Sequence, residues 1–356
     1  MSHNILITGA AGYIGGSVLA NFLARSSGPI KTANLFAAVR SEEQMEKLAN
    51  LNVHVVQLDL ADERAVKQVV ADNDIDFVIY TAGVIDQRPV SSLIESLGER
   101  RMSTGRDVYF IYTGVSTTFL PVGGWSAGVV RDTDQLFEKE KEIGGPNHAR
   151  LTSIFVVEKA EALGVTAFNV PVPVVYGRGT GEGRKLSVNI PAFVRSSIKH
   201  KVVHKFDEDG NAPAVHVSDL AELYTILTEK TLLKEPIPSG AKGYYFGVAH
   251  QVSWWDVMQK LAEVLHARGL VTEPAAQVWP SDDVAAEALG FPKLYIRAMG
   301  TASGNLVSEN SCQLGWQPKW TREKFLASID DEVEDILELD TVKTSLFSEL
   351  LTPSAN

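Results

Sequence analysis

Three glycines near the start of the chain, Gly9, Gly12 and Gly15 in Thr8-Gly-Ala-Ala-Gly-Tyr-Ile-Gly15, have a spacing that suits phosphate chemistry. They follow the apolar run Ile5-Leu6-Ile7 and head an amphipathic stretch, so the sequence predicts a buried strand, a tight turn and a helix N-terminus. Gly9 permits the turn, Gly12 lets a pyrophosphate approach the backbone, and Gly15 lets the helix lie close on the sheet. The N–H groups around Tyr13 and Ile14, at the positive end of the helix dipole, would receive the anion. A nicotinamide dinucleotide is the ligand this pattern predicts.

The end of the second predicted strand bears on which dinucleotide. No Asp or Glu occurs between Ala33 and Ser41 to take both ribose hydroxyls, whereas Arg40 and Ser41 offer donors to a 2′-phosphate. NADP is therefore expected ahead of NAD, with a solvated Arg40 as the alternative. Asp59-Leu60, after the third strand, offers a carboxylate to the adenine amino group, or else a turn cap. Thr81-Ala82-Gly83 ends the fourth strand with residues small enough for backbone to run beside a cofactor.

Hydroxyls and cations supply the remaining candidates. Thr113 and Ser116 close the fifth strand and could orient a substrate oxygen or simply bond local backbone. Tyr176 ends the sixth strand and could donate a proton or pack with its hydroxyl on backbone. Arg178, Arg184 and Lys185 stand in the glycine-dense stretch GRGTGEGRK, 177–185, which suits a substrate phosphate or carboxylate, or is a solvated loop. His216 is read as structural. The single cysteine, Cys312, excludes an intrachain disulfide and fits a reducing compartment, and no histidine spacing suggests a metal.

These residues need a scaffold. Apolar runs at Ile5–Thr8, Leu35–Val39, Val53–Leu58, Phe77–Thr81, Val108–Tyr112 and Ala167–Val175 read as buried strands. Helical segments alternate with them at Ile14–Arg25, Glu42–Leu48, Glu63–Val70, Val90–Arg100 and Ser153–Ala162. Such alternation predicts an α/β fold, a doubly wound parallel sheet of Rossmann type. Further helices are expected at Ile190–Ile198, from Val215 to Lys230, from the capping box at Ser253, and over Arg322–Leu339, with a short strand at Tyr244–Gly247. Residues 272–318 read as loop-rich, and 352–356 as frayed. The expected dinucleotide domain covers 1–177, with returns near 207–235 and 243–249. A smaller substrate lobe takes 178–206 and 250–340. The 356 residues carry a formal net charge of -11, which argues against nucleic-acid and anionic-membrane partners. No apolar run suggests a signal peptide or a membrane span. A cytoplasmic enzyme with a small-molecule substrate is expected, and a homodimer is compatible with the sequence.

Taken together, the chain resembles the extended and atypical short-chain dehydrogenase/reductase superfamily, which includes the nucleoside-diphosphate-sugar epimerases. Within it, the stretch YGRGTGEGRKLSVNIP is similar to fungal epimerase/dehydratase-like proteins. The resemblance rests on TGAAGYIG at 8–15, VRS at 39–41, LDL at 58–60, YTAG at 80–83, VPVPVVYGRG at 170–179, VHVSDLA at 215–221 and LGWQP at 314–318. It implies a lobe over the nicotinamide end, with Val174 beside the cofactor. It also implies a tyrosine and a lysine one helical turn apart, the lysine holding the nicotinamide ribose and the tyrosine exchanging a proton. Here Phe155-Val-Val-Glu-Lys159 fills that place, so Lys159 inherits the ribose role while Phe155 has no proton to exchange. No tyrosine lies between Tyr112 and Tyr176. The expected activity is an NADP(H)-dependent oxidoreductase, or an epimerase or dehydratase, with Tyr176, His148 or Ser116 taking over the lost role. The alternative is a non-redox NADP-binding regulator or isomerase-like protein on the same fold.

Overall fold

The structure, a computed structural model, describes residues 2–339. Its first half is a run of strand–helix units: β1 (Asn4–Thr8), α1 (Tyr13–Leu23), β2 (Asn34–Val39), α2 (Glu42–Leu48), β3 (His54–Gln57), α3 (Glu63–Asp72), β4 (Phe77–Tyr80), α4 (Gln87–Thr104) and β5 (Tyr109–Val115). The chain then forms β6 (Val129–Arg131), α5 (Leu136–Ile143) and α6 (His148–Leu163) before returning as β7 (Thr166–Val172). A parallel six-stranded sheet results, in the order β3-β2-β1-β4-β5-β7.

The apolar runs have period-one hydrophobicity because both faces of the sheet are covered. Ile5, Ile7, Ile79, Ile111 and Phe168 pack with Val18 and Phe22 of α1. Leu6, Val78, Phe110 and Tyr112 pack with Val66 of α3, Leu93 and Leu97 of α4, and Val156 of α6. Each such fully buried side chain contributes about 1.5–3 kcal/mol. Strand order reverses between β1 and β4, which opens a crevice beyond the carboxyl ends of those two strands.

The expected single strand Ala167–Val175 is two. Pro173 separates β7 from β8 (Val174–Tyr176), and the chain steps from the large sheet into a three-stranded one. After β8 come α7 (Asn189–His200), β9 (His204–Lys205), β10 (Asn211–His216), α8 (Val217–Leu232), β11 (His250–Ser253) and α9 (Trp254–Ala267). Strand β10 pairs in parallel with β8 and antiparallel with β11. Helix α8 starts at Val217, where His216 caps it by accepting from Ser218 N. It returns to the large sheet, packing Leu220, Leu223, Tyr224 and Leu227 beside α1.

Residues 243–247 run alongside β7, with Asn169 N bonded to Gly243 O, Tyr245 N to Asn169 O, and Gly247 N to Pro171 O. Their pairing is a single parallel bridge at Tyr244, so the expected strand is only an edge segment. The stretch read as loop-rich contains β12 (Gln277–Val278), α10 (Asp282–Leu289), α11 (Lys293–Gly300), β13 (Asn305–Val307) and α12 (Glu309–Gln313). The expected final helix breaks at Ser328 into α13 (Arg322–Ala327) and α14 (Ile329–Leu339). There the Ser328 hydroxyl bonds to Phe325 O, competing with the helical pattern. A second core joins Tyr176, α7, α9 and α14 through Phe193, Met258, Leu261 and Val333. The frayed segment expected at 352–356 lies outside the described residues. Among the described residues, no helix is long and apolar enough to cross a membrane.

Candidate active site

Gly9 takes φ +65, the left-handed region glycine tolerates, and its carbonyl accepts from Gly12 N at 2.7 Å to close the turn. A side chain at Gly15 would collide with Gly9 O and Thr81 Oγ1. Thr81 in turn ties the end of β4 to the end of β1, its hydroxyl donating to Thr8 O at 2.6 Å and its N–H to Thr8 Oγ1 at 3.2 Å. Helix, turn and two strand ends are thus locked at the crevice, with Ala82 and Gly83 exposed beside it.

The cap of α1 is the informative detail. Ser41, Asp62, Asp86, Asn147, Ser253 and Ser281 each cap their helices with a side-chain oxygen. Gly12 caps α1 without one, as α5, α7, α11 and α12 also lack a side-chain cap, and no acid stands in the first turn of α1. The first-turn N–H groups at Tyr13, Ile14 and Gly15 therefore meet no side-chain acceptor, which is what a phosphate needs. The residues present fit a dinucleotide pyrophosphate.

At the end of β2, Arg40 is exposed at the rim, its N–H donating to Gln44 Oε1 at 2.9 Å. Ser41 spends a lone pair capping α2 but keeps its own O–H. Asp59 Oδ1 accepts from Ala61 N at 2.9 Å, the turn-cap alternative, while Leu60 packs on the core under β3 and β4.

The expected catalytic residues do not converge. Thr113 faces α8, where its hydroxyl lies 2.5 Å from Tyr224 Oη. Ser116 is buried just past β5, at the start of a short 3-10 turn. Tyr176 is fully buried in the second core. Its hydroxyl meets His250 Nε2 at 2.9 Å and its ring stacks on Phe325 at 3.8 Å. Burial pushes that phenol well above its ordinary value, which disfavours proton exchange. Val174 is half-buried against the same core. His216 is structural: it stacks on Trp320 at 3.9 Å, and burial holds it down at about 4.

Lys159 lies away from the first turn of its helix. Helix α6 runs back against β5 and β7, so its first turn, not its last, meets the crevice edge of the sheet. Lys159 stands near the far end, and its ammonium pairs with Glu95 of α4 at 2.6 Å. Phe155 packs on the core beneath α4 and α6. The lysine spacing reflects a helix–helix ion pair, so its placement gives no geometric basis for the ribose role.

The first half of α6 joins His148, which the sequence named as a candidate, to Arg150 and Ser153, which sequence reasoning missed. His148 is exposed at the first position of α6. Arg150 is buried and donates to Thr118 O at 2.9 Å, to Gly144 O at 3.0 Å and to Gly123 O, fixing the loop that follows Ser116. Ser153 donates to Glu140 Oε2 at 2.9 Å and accepts from Asn169 Nδ2 at 2.6 Å, while Tyr244 Oη donates to the same carboxylate oxygen at 2.7 Å. Burial raises Glu140 to about 7. Arg150 lies only five residues before Phe155, but no spacing rule distinguishes a carbonyl-binding arginine from a surface one.

Two of the three cations of the second glycine stretch are also committed. Arg178 pairs with Asp335 at 2.6 Å and Glu338 at 2.8 Å on α14. Arg184 donates to Leu186 O and Ser187 O, both at 3.0 Å, and its N–H to Ala11 O at 2.9 Å. Lys185 is half-buried beside it. The stretch folds against the first glycine turn and does not project as a solvated loop. As substrate ligands, Arg178 and Arg184 would have to give up these bonds.

Known proteins resemble this chain in part of its sequence and in its fold. Residues 5–96 match the model of the NAD dependent epimerase/dehydratase family. The uncharacterized protein YLL056C of Saccharomyces cerevisiae is 26% identical over 333 residues, covering 88% of this chain and 94% of its own. Among solved structures, UDP-glucose 4-epimerase of Thermotoga maritima, with UDP-glucose, superposes with a TM-score of 0.63 at 16% identity, covering 94% of this chain and 99% of that one. The dTDP-glucose 4,6-dehydratase of Bacillus anthracis, in complex with NAD, gives 0.64 at 13% identity, covering 95% and 98%. The chain thus matches the NAD dependent epimerase/dehydratase family model over residues 5–96 and shares the fold of these solved structures over most of its length.

Proposed function

We propose that the protein is an NADP(H)-dependent oxidoreductase acting on a small organic carbonyl or hydroxyl compound, with an atypical active site. The observation that carries this reading is the uncapped first turn of α1 behind the Gly9–Gly15 turn, beside Arg40. When bound, the nicotinamide supplies the hydride acceptor or donor. The chain binds the pyrophosphate on the Tyr13 and Ile14 N–H groups and offers the Arg40 guanidinium to the 2′-phosphate. Ser116, at the carboxyl end of β5, orients the substrate oxygen. His148, exposed at the crevice end of α6, exchanges the proton. One of the solved structures named above is a complex with NAD, so the choice of NADP rests on Arg40 and on the lack of an acid between Ala33 and Ser41.

Titration with NADPH and NADH, followed by a panel of carbonyls and alcohols read by nicotinamide absorbance, tests the proposal. NADPH is expected to bind more tightly, and one class of compound to turn over. Ser116→Ala should cut turnover by about tenfold to a hundredfold while cofactor affinity holds. Tight binding with no absorbance change across the panel would favour the second reading, a non-redox NADP-binding protein. That reading is motivated by Phe155 and by a Tyr176 phenol buried against His250.

A further inference from the structure

Residues 177–183 alternate: Arg178, Thr180 and Glu182 are exposed, while Gly179 and Gly181 are buried against the first turns of α1. We propose that this stretch is a strap that holds the phosphate turn in shape and retains the dinucleotide, latched from outside by α14 through Arg178. The proposal rests on the dinucleotide-binding reading above.

The fit is backbone to backbone. A Cβ at Gly181 would lie 2.6 Å from the carbonyl carbon of Gly16, one at Gly179 would lie 3.0 Å from the Tyr13 ring, and one at Gly183 would run into Ala11 O. Arg184 N donates to Ala11 O at 2.9 Å, Thr180 N to Ser17 Oγ at 3.3 Å, and Tyr13 Oη to Gly177 O at 2.7 Å. The strap thus grips residues on both sides of Gly12, where the open N–H groups are. Its own root is held by α14, since Gly177 N donates to the buried carboxyl of Glu332 and Arg178 pairs with Asp335 and Glu338. Arg178 therefore serves cofactor retention and not substrate recognition.

The test is cofactor release from the full chain, by stopped-flow displacement of bound NADPH, with KM measured on any substrate found. Arg178→Glu should speed release roughly threefold to tenfold, the scale of a partly exposed ion-pair cluster. Adding Glu338→Arg should restore most of the slow release, which a merely misfolded variant would not do. Gly181→Ala, which lifts the strap off Gly16, should speed release about tenfold or more. If Arg178→Glu leaves release unchanged but raises KM for an anionic substrate, the arginine is a substrate ligand and the strap proposal is overturned. If the wild-type chain binds neither NADPH nor NADH, the dinucleotide reading falls, and the strap falls with it.

Discussion

The molecule has two glycine-rich stretches, 9–16 and 177–183, that press against each other and differ in what their backbone donors do. In the first, Gly9 turns the chain at φ +65 and Gly12 begins a helix without a side-chain cap, so backbone donors stay open. In the second, glycines are small so that backbone can touch backbone, and the donors at Thr180 and Arg184 are spent on Ser17 and Ala11. Open donors in a locked turn suit an anionic ligand, whereas spent donors suit a brace. Glycine content alone does not separate the two uses.

The largest expected effect breaks the first stretch. Gly15→Val drives a side chain into Gly9 O and Thr81 Oγ1 and should weaken dinucleotide binding about a hundredfold, if overpacking costs up to about 3 kcal/mol. Isothermal titration, with the melting temperature as a folding check, reads the outcome. Next in size is Arg40→Asp, which acts at the rim and spares the turn. It should lower NADPH affinity about tenfold to a hundredfold while NADH affinity stays or rises, and unchanged NADPH affinity would refute the 2′-phosphate assignment.

A smaller effect sharpens the second stretch through pH. Glu332, at the root of the strap, is raised by burial from 4.5 to about 7. Its folded form holds a proton more tightly than its unfolded form, so stability is full below about pH 4.5 and is lost as pH rises toward 7. Glu140 at about 7 and Asp132 at about 6 add the same sign. Denaturant midpoints should fall between pH 5 and 8, and Glu332→Gln, which can still accept from Gly177 N, should flatten part of that slope. The smallest expected effect is Tyr13→Phe, which removes one bond from the strap to α1 and should cost about 1 kcal/mol or less in cofactor affinity.

Legibility differed sharply between the two halves of the chain. The strands β1, β2, β4 and β5 were readable because burial on both faces makes their apolar runs continuous, and the turn at Gly9 because its flanking strand and helix lie in contiguous sequence. Pro173 was visible as a residue, but the transfer of the chain to a second sheet depends on β10, about forty residues later, offering β8 a partner. Lys159 shows the limit of spacing arguments. Four residues after Phe155 is one helical turn, yet which end of α6 meets the crevice is a matter of how the helix runs back along the sheet.

By itself the sequence determined the strand–turn–helix that offers open donors at the head of α1, the parallel sheet behind it, and the absence of a tyrosine between Tyr112 and Tyr176. These are local properties, fixed by residue type and short-range periodicity. Only the tertiary structure decided that Thr113 is taken by Tyr224, that Tyr176 is sealed against His250, that Lys159 pairs with Glu95, that Arg178 pairs with α14, and that Arg184 bonds the backbone of its own loop. Each depends on partners far away in the chain, brought within bonding distance by packing.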